Sequence, residues 1–376
     1  MNTVMPDQPS PRAEVVVDLD AIRHNVALLA ARASGAVTMA VVKADGYGHG
    51  ALPVARAALD AGATWLGSCS LAEALDLREG GVTSRILSWL DVPGTDFAPG
   101  VEADVDLSAS SSAELAAIAG AARRVGRTAR VHLKIDTGLC RNGCPPGDWP
   151  DLVENAAKAQ SDGHVEVVAV WSHLACADEP GHPANDLQAA RFADAYEVAR
   201  AAGLHPMRHL ANSAATLDRP DLHFDMVRVG IAMYGLNPLP YKENLKPAMT
   251  FRSTVALTKR IDAGESVSYG QTWTTDRDTT LALVPVGYAD GVSRGLSNRM
   301  DVWLAGRRRP IVGRVCMDQI VIDCGDDAVT PGEEVVLFGA GTRGEPTATE
   351  WANTLGTIDY EIVTGMYRPR VTRSYR

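Results

Sequence analysis

Between residues 37 and 235, apolar runs rich in valine and leucine alternate with alanine- and leucine-rich stretches of helical spacing. The runs of strand character are 37–44, 65–70, 85–90, 104–109, 130–136, 165–173, 207–211 and 226–234. Between most of them lie helical patterns, among them 51–61, 71–79, 112–125, 152–160 and 184–202. Glycines close several of these: Gly62, Gly80, Gly126, Gly163 and Gly203. A strand that returns through a helix pairs in parallel with its neighbour. Eight such units predict a closed (β/α)8 TIM-like barrel in preference to an open doubly wound sheet.

After Gly235 the texture changes. Asn237-Pro-Leu-Pro240 reads as a linker, and long alanine-rich helices largely disappear. Short strand-like runs follow at 251–260, 279–286, 309–322 and 334–338, separated by Gly, Asp and Pro, with one helix at 347–355. The expected organisation is a disordered tail over residues 1–11, a barrel domain over 12–240 and a smaller mainly-β domain over 241–376. The strand-like ends around Glu14 and Arg370 are candidates to pair within the second domain.

A chain of 376 residues suits two domains, and its net charge of −10 argues against non-specific nucleic-acid binding. Six scattered cysteines with no zinc-like spacing suggest reduced thiols in a cytoplasmic protein and no metal site. The first residues lack an apolar signal core, and no apolar run is long enough to span a membrane.

Barrels of this kind carry their chemistry at the C-terminal ends of the strands. Lys43 falls at such an end, on the line of Met39 and Val41, where burial would make an amine nucleophilic. Arg141 follows the fifth strand, His173 ends the sixth, and Asn212 and Ser213 follow the seventh. Arg228, Gly230 and Ile231 lie on the eighth. The Ser213 hydroxyl and the Gly230 and Ile231 amides suit a phosphate, which wants converging O–H and N–H donors. Each residue has a plainer reading. Lys43 can snorkel, Arg141 and Arg228 can pair with Asp136 and Asp225, and Ser213 can cap a helix beginning at Ala214. Gly46, Gly48 and Ala51 also fit a weak dinucleotide pattern, G-x-G-x-x-A.

The segment Val41-Val-Lys-Ala-Asp-Gly-Tyr47-Gly-His-Gly50 resembles the pyridoxal-phosphate motif of alanine racemases. Further matches run in order along the chain: Lys134-Ile-Asp-Thr-Gly138, Ser172-His-Leu-Ala175, Ala211-Asn-Ser-Ala-Ala215 and Val227-Arg-Val-Gly-Ile-Ala-Met-Tyr-Gly235. They continue through Val267-Ser-Tyr-Gly270, Val286-Gly-Tyr-Ala-Asp-Gly291, Gly313-Arg-Val-Cys-Met-Asp-Gln319 and Tyr367-Arg-Pro-Arg370. The resemblance implies a pyridoxal 5'-phosphate (PLP)-dependent alanine racemase, an isomerase supplying D-alanine for peptidoglycan. It implies two bases on opposite faces of the substrate, Lys43, which also holds the cofactor, and Tyr269. His173 and Arg228 would support the tyrosine, with Arg228 facing the cofactor's ring nitrogen. Tyr47, Tyr367, Asn212, Ser213, Gly230 and Ile231 would bind the phosphate end. Arg141 would meet the substrate carboxylate, braced by Lys134, a lysine carbamylated in some members. Tyr288, Met317 and Asp318 would line the substrate entrance. A head-to-tail homodimer with shared active sites is also implied. Departures from the family pattern are Asp45-Gly46 for the commoner Asn-Ala, Cys140 for a glycine, and Gln271 after Tyr269-Gly270. Rival readings are a broader amino-acid racemase accepting serine, a non-catalytic PLP-binding barrel, a PLP decarboxylase and, more distantly, a dinucleotide dehydrogenase.

Overall fold

The computed structural model describes residues 11–33 and 35–376. Nearly all of the tail expected at the N-terminus lies outside the described residues. One compact unit comprises residues 20–246, and a second joins the N-terminal stretch up to Leu19 to Pro247–Arg376. The division therefore falls a few residues beyond the linker seen in sequence, and residues 12–19 belong with the second unit. The reason lies in β1 (Glu14–Val17), which pairs with strands of the C-terminal half.

The barrel unit is built on eight parallel strands: β2 (Val37–Val41), β3 (Trp65–Ser68), β4 (Arg85–Ser88), β5 (Asp106–Ala109), β6 (Ala129–Lys134), β7 (Val165–Trp171), β8 (Met207–His209) and β9 (Met226–Val229). All eight coincide with the runs read from sequence, and all but β5 end earlier than the apolar run. β9 pairs back onto β2, with Met39 opposite Arg228. The remaining seam between β8 and β9 is bridged by Asp225 N–H to Arg208 O (3.2 Å) and Arg228 N–H to Ala211 O (3.0 Å). Helices cover the outside. Ser70 and Glu73 form a reciprocal cap at the start of helix Leu71–Glu79, and Ser111 caps Ser112–Val125, which ends at Gly126 in a left-handed conformation (φ 73°). Met39, Trp65, Leu87 and Met226 pack together as one apolar cluster of the barrel strands.

In the second unit the strands are β10 (Met249–Thr254), β11 (Leu257–Ile261), β12 (Ser266–Val267), β13 (Trp273–Thr274), β14 (Thr279–Val284), β15 (Asp301–Leu304), β16 (Arg307–Val312), β17 (Ile320–Gly325), β18 (Glu334–Phe338) and β19 (Thr372–Tyr375). Nine of the unit's strands form one sheet in the order β11-β14-β17-β16-β15-β18-β10-β1-β19, and β12 and β13 form a separate ribbon. β1 lies antiparallel to β10 and parallel to β19, so both chain ends are paired. Phe251, Phe338 and Trp351 pack in succession, tilted and then edge-on, with ring centroids 5.9 and 5.1 Å apart. The run expected as one strand over 309–322 is two, β16 and β17, split by loop 313–319. Gly313 opens that loop at φ 74°, and a Cβ there would stand 2.7 Å from Val267 O.

Candidate active site

Lys43 does not continue β2. It opens a turn in which Ala44, Asp45 and Gly46 all adopt left-handed helical angles (φ 51°, 51° and 61°), followed by Tyr47 at φ 52°. Left-handed backbone costs an L-residue roughly 1–2 kcal/mol, so successive residues hold it only where surroundings enforce it. Enforcement comes from Glu73, whose carboxylate accepts from Ala44 N–H (2.8 Å) and Cys69 N–H (2.7 Å). Asp45 closes the other side by accepting from Ala51 N–H (2.8 Å) at the start of the next helix. The departures Asp45 and Gly46 thus both serve the turn. Lys43 is half-buried, with Nζ 6.0 Å from the centroid of the Tyr47 ring.

Arg228 is 4% exposed and held from several directions. Its Nη2 donates to Ser172 O (2.9 Å), Leu210 O (3.2 Å) and His173 Nδ1 (3.1 Å), while Nη1 reaches His209 Nδ1 (3.3 Å). The guanidinium carbon lies 5.0 Å from the centroid of the Trp171 ring. Burial lowers the Arg228 pKa to about 9, which leaves it a cation at neutral pH. His173 is pushed well below the usual histidine range, first by burial, then by Arg228, Arg141, Lys134 and Lys43. A neutral His173 accepting at Nδ1 carries its proton on Nε2. Asp225 takes Arg208 as its ion-pair partner (3.1 Å), so Arg228 is not the pair of Asp225.

Lys134 is 3% exposed, lies 4.2 Å from the Trp171 ring centroid and donates to Asn142 Oδ1. Burial, followed by the charges of Arg228 and Arg141, brings its pKa down to about 7. Arg141 is exposed on the loop that returns from Asp136 to Cys144. Asp136 Oδ1 accepts from Gly138 N–H (2.8 Å) and Cys140 N–H (3.1 Å) instead of pairing with Arg141. Cys140 sits at φ 55°, which explains in backbone terms why glycine suits that position.

At the end of β9, Gly230 N–H donates to Ser213 Oγ (2.8 Å), and Ala232 N–H reaches the same oxygen (3.3 Å). A Cβ on Gly230 would stand 2.6 Å from Tyr47 Oη. The Ser213 hydroxyl, the Ile231 amide and the Tyr47 hydroxyl are neutral donors of the kind a phosphate takes, with Ser213 held by the Gly230 amide, so these residues fit a phosphorylated cofactor. The helix here spans Ser213–Asp218, and its cap is Asn212, whose Oδ1 accepts from Ala215 N–H (3.1 Å). The cap expected at Ser213 therefore falls one residue earlier, and the Ser213 hydroxyl is turned to β9.

The remaining candidates belong to the second unit. Tyr269 is 72% exposed, Tyr367 65%, Met317 52% and Tyr288 42%. Tyr269 sits between left-handed residues Ser268 (φ 66°) and Gly270 (φ 73°), with Gln271 next (φ 48°). Ser268 Oγ donates to Arg314 O (2.8 Å), tying this turn to loop 313–319. On that loop, Asp318 pairs with Arg370 (2.6 Å).

Two family models cover these units: alanine racemase, N-terminal domain, over residues 17–238, and alanine racemase, C-terminal domain, over residues 248–375. The chain belongs to the alanine racemase family. An alanine racemase of Salinispora arenicola is 59% identical over 97% of this chain and 98% of its own length. One of Frankia casuarinae is 57% identical over 97% and 96%. The crystal structure of alanine racemase from D-cycloserine-producing Streptomyces lavendulae matches with a TM-score of 0.95 at 49% identity, covering 98% of each chain. Among the described residues of this alanine racemase family member, no helix is long and apolar enough to cross a membrane.

Sequence reasoning missed three parts of the site: Glu73, which holds the turn after Lys43, Asn142 against Lys134, and His209 behind Arg228. The signal for His209 was a histidine in a short strand-like run, 207–211.

Proposed function

We propose that this protein interconverts L- and D-alanine with PLP as its cofactor, in the cytoplasm, supplying D-alanine for peptidoglycan. The observation that carries the reading is buried Arg228 donating to half-buried His173 in a chain 59% identical to an alanine racemase over nearly its full length. When bound, PLP draws electrons away from the substrate's Cα–H bond, which makes that proton removable. Lys43 would hold the cofactor through its ε-amine. Ser213, Gly230, Ile231, Tyr47, Asn212 and Tyr367 would hold its phosphate end. Arg228, an obligate donor, would leave the ring nitrogen unprotonated and so restrain side reactions such as transamination. An Arg228→Glu variant that racemises without added side products would count against that role.

Inverting a centre requires a proton to leave one face and return on the other. Lys43 and Tyr269 are the two carriers, and neutral His173, donating from Nε2, would stabilise the tyrosinate against its ordinary pKa of about 10. Arg141 would hold the substrate carboxylate, with Tyr288, Met317 and Asp318 lining the approach. The pKa of about 7 at Lys134 keeps a large share of its amine uncharged, the form that adds carbon dioxide and releases a proton to become a carbamate. That anion would brace Arg141. The exposure of Tyr269, Tyr288, Met317 and Tyr367 supports a head-to-tail homodimer in which these side chains complete the site of the other subunit. Mixing Lys43→Ala and Tyr269→Ala chains should then restore one good site per heterodimer, and no recovery would sink the shared arrangement.

The deciding experiment is proton NMR of L-alanine with protein and PLP in D2O, followed by chiral analysis of the same tube. Deuterium at Cα together with D-alanine is expected. Deuterium without D-alanine would remove Tyr269 from its role, and neither would overturn the alanine reading.

A further inference from the structure

Behind Arg228 a line of polar side chains runs through the barrel interior, where such folds ordinarily stack apolar layers. His209 Nε2 lies 2.9 Å from His132 Nδ1, and His132 Nε2 lies 3.1 Å from Asp106 Oδ2. His209, His132 and Asp106 are all 0% exposed. They sit on β8, β6 and β5, and Arg228 on β9, so four strands contribute one residue each. At the far end Asp106 also accepts from Arg85 Nη2 (2.6 Å) and Arg130 Nε (2.6 Å). The rings are held by packing: His209 stacks on Trp171 at 5.3 Å and 9°, and His132 meets the edge of Trp65 at 5.4 Å.

Donor and acceptor chemistry gives this line a single direction. The guanidinium only donates, so His209 must accept at Nδ1 and carry its proton on Nε2. That N–H forces His132 to accept at Nδ1 and to donate from Nε2. The carboxylate only accepts, which closes the line consistently. Reversing any link would set two donors or two acceptors face to face in a dry interior, which is unfavourable. We propose that Asp106, His132 and His209 are positioning residues: a one-way hydrogen-bond chain, anchored at Asp106, that fixes the orientation of the Arg228 guanidinium from inside the barrel. Well-packed apolar side chains of similar volume are often as stable at such positions, so packing alone does not require these residues. The proposal rests on the reading of Arg228 given above.

The test combines 15N NMR of histidine-labelled, cofactor-loaded protein with steady-state kinetics. In the wild type, His132 and His209 should both be neutral Nε2–H tautomers. His132→Phe keeps an aromatic ring but breaks the chain. It should release His209 into mixed tautomers and lower kcat roughly 10-fold or more with KM changed less than about 3-fold, as expected for a misoriented guanidinium. His132→Gln retains one donor and one acceptor and should recover most of kcat. An Nδ1–H or doubly protonated imidazole at either wild-type position would overturn the proposal, as would a folded His132→Phe with wild-type kcat. If His132→Phe does not fold, Asp106→Asn carries the test. Its amide can donate as well as accept, so a partly reversed His132 tautomer and reduced kcat are expected, and no change in both overturns the chain. The tautomers are read whether or not alanine turns over, so failure of the chain and failure of the functional reading stay distinguishable.

Discussion

In the barrel unit, Lys134, His132, His209 and Arg228 are each under 5% exposed and each finds a polar partner within its own unit. In the second unit, Tyr269 and Tyr367 are more than half exposed, and Tyr288 and Met317 about half. The histidines divide in the same way: all nine lie before residue 247 and none after it. The barrel unit buries its imidazoles, whereas the second unit, which also buries charge at Arg309 and Asp290, presents its site candidates on a surface. Burying charge and imidazole is expensive unless every group is paired, and a closed parallel barrel supplies enclosed walls from many strands at once. A side chain proposed to carry a proton to a separate substrate needs only a rigid mount. The tight turn around Tyr269, tied to Arg314, provides one.

The largest test of this contrast is Lys43→Ala. It should lower kcat/KM by on the order of 10^4-fold or more and abolish the visible absorbance of bound cofactor, because the amine has no substitute. Tyr269→Phe should cost roughly 10^2- to 10^4-fold in racemisation, the usual range for losing one proton carrier. Its melting temperature should stay within about 1 °C, since an exposed side chain contributes little to stability. A large fall in melting temperature would mean that Tyr269 is structural, and the contrast would fail.

Acid should separate the two units next. His132 and His209 are held below the ordinary histidine pKa by burial, His209 further by Arg228. Below pH ~6.5 the unfolded chain binds protons at these positions that the folded barrel does not, so stability falls as pH falls. Each imidazole that stays neutral in the fold steepens that fall toward about 1.4 kcal/mol per pH unit. Asp106, held at about 2 against burial by His132, Arg85 and Arg130, stays ionised in this range. Hydrogen exchange at pH 5.5 should loosen β6 and β8 while β14 and β17 keep their protection. Equal loosening in both units would erase the distinction. The smallest expected effect is Gly46→Ala, about 1 kcal/mol of destabilisation measured by urea unfolding. It combines φ of 61° with a new Cβ 3.2 Å from Ala51 N.

Much of this arrangement is legible in the sequence. The eight barrel strands, the break after Gly235 and the motif residues Lys43, Arg228 and Tyr269 are local signals, written in contiguous residues whose spacing and type carry their meaning. Less was legible where a conformation depends on distant partners. Ala44 and Asp45 have no sequence feature that demands left-handed backbone, and Glu73, from another helix, is what holds them there. The valine- and isoleucine-rich stretch 309–322 reads as one strand, because nothing in apolar content reveals that Gly313 turns the chain out beside Val267.

The sequence alone therefore determined the fold class, the order of the eight barrel strands and the residue types able to move a proton or hold a phosphate, because periodicity and short motifs are properties of neighbouring residues. Only the tertiary structure decided which of those groups are charged and which way they point. Asp106, His132, His209 and Arg228 are separated by 26, 77 and 19 positions along the chain, and become one hydrogen-bonded line when β5, β6, β8 and β9 curve round a shared interior. A proton's position on an imidazole is set by what lies across the gap, and barrel closure is what puts those groups within hydrogen-bond reach.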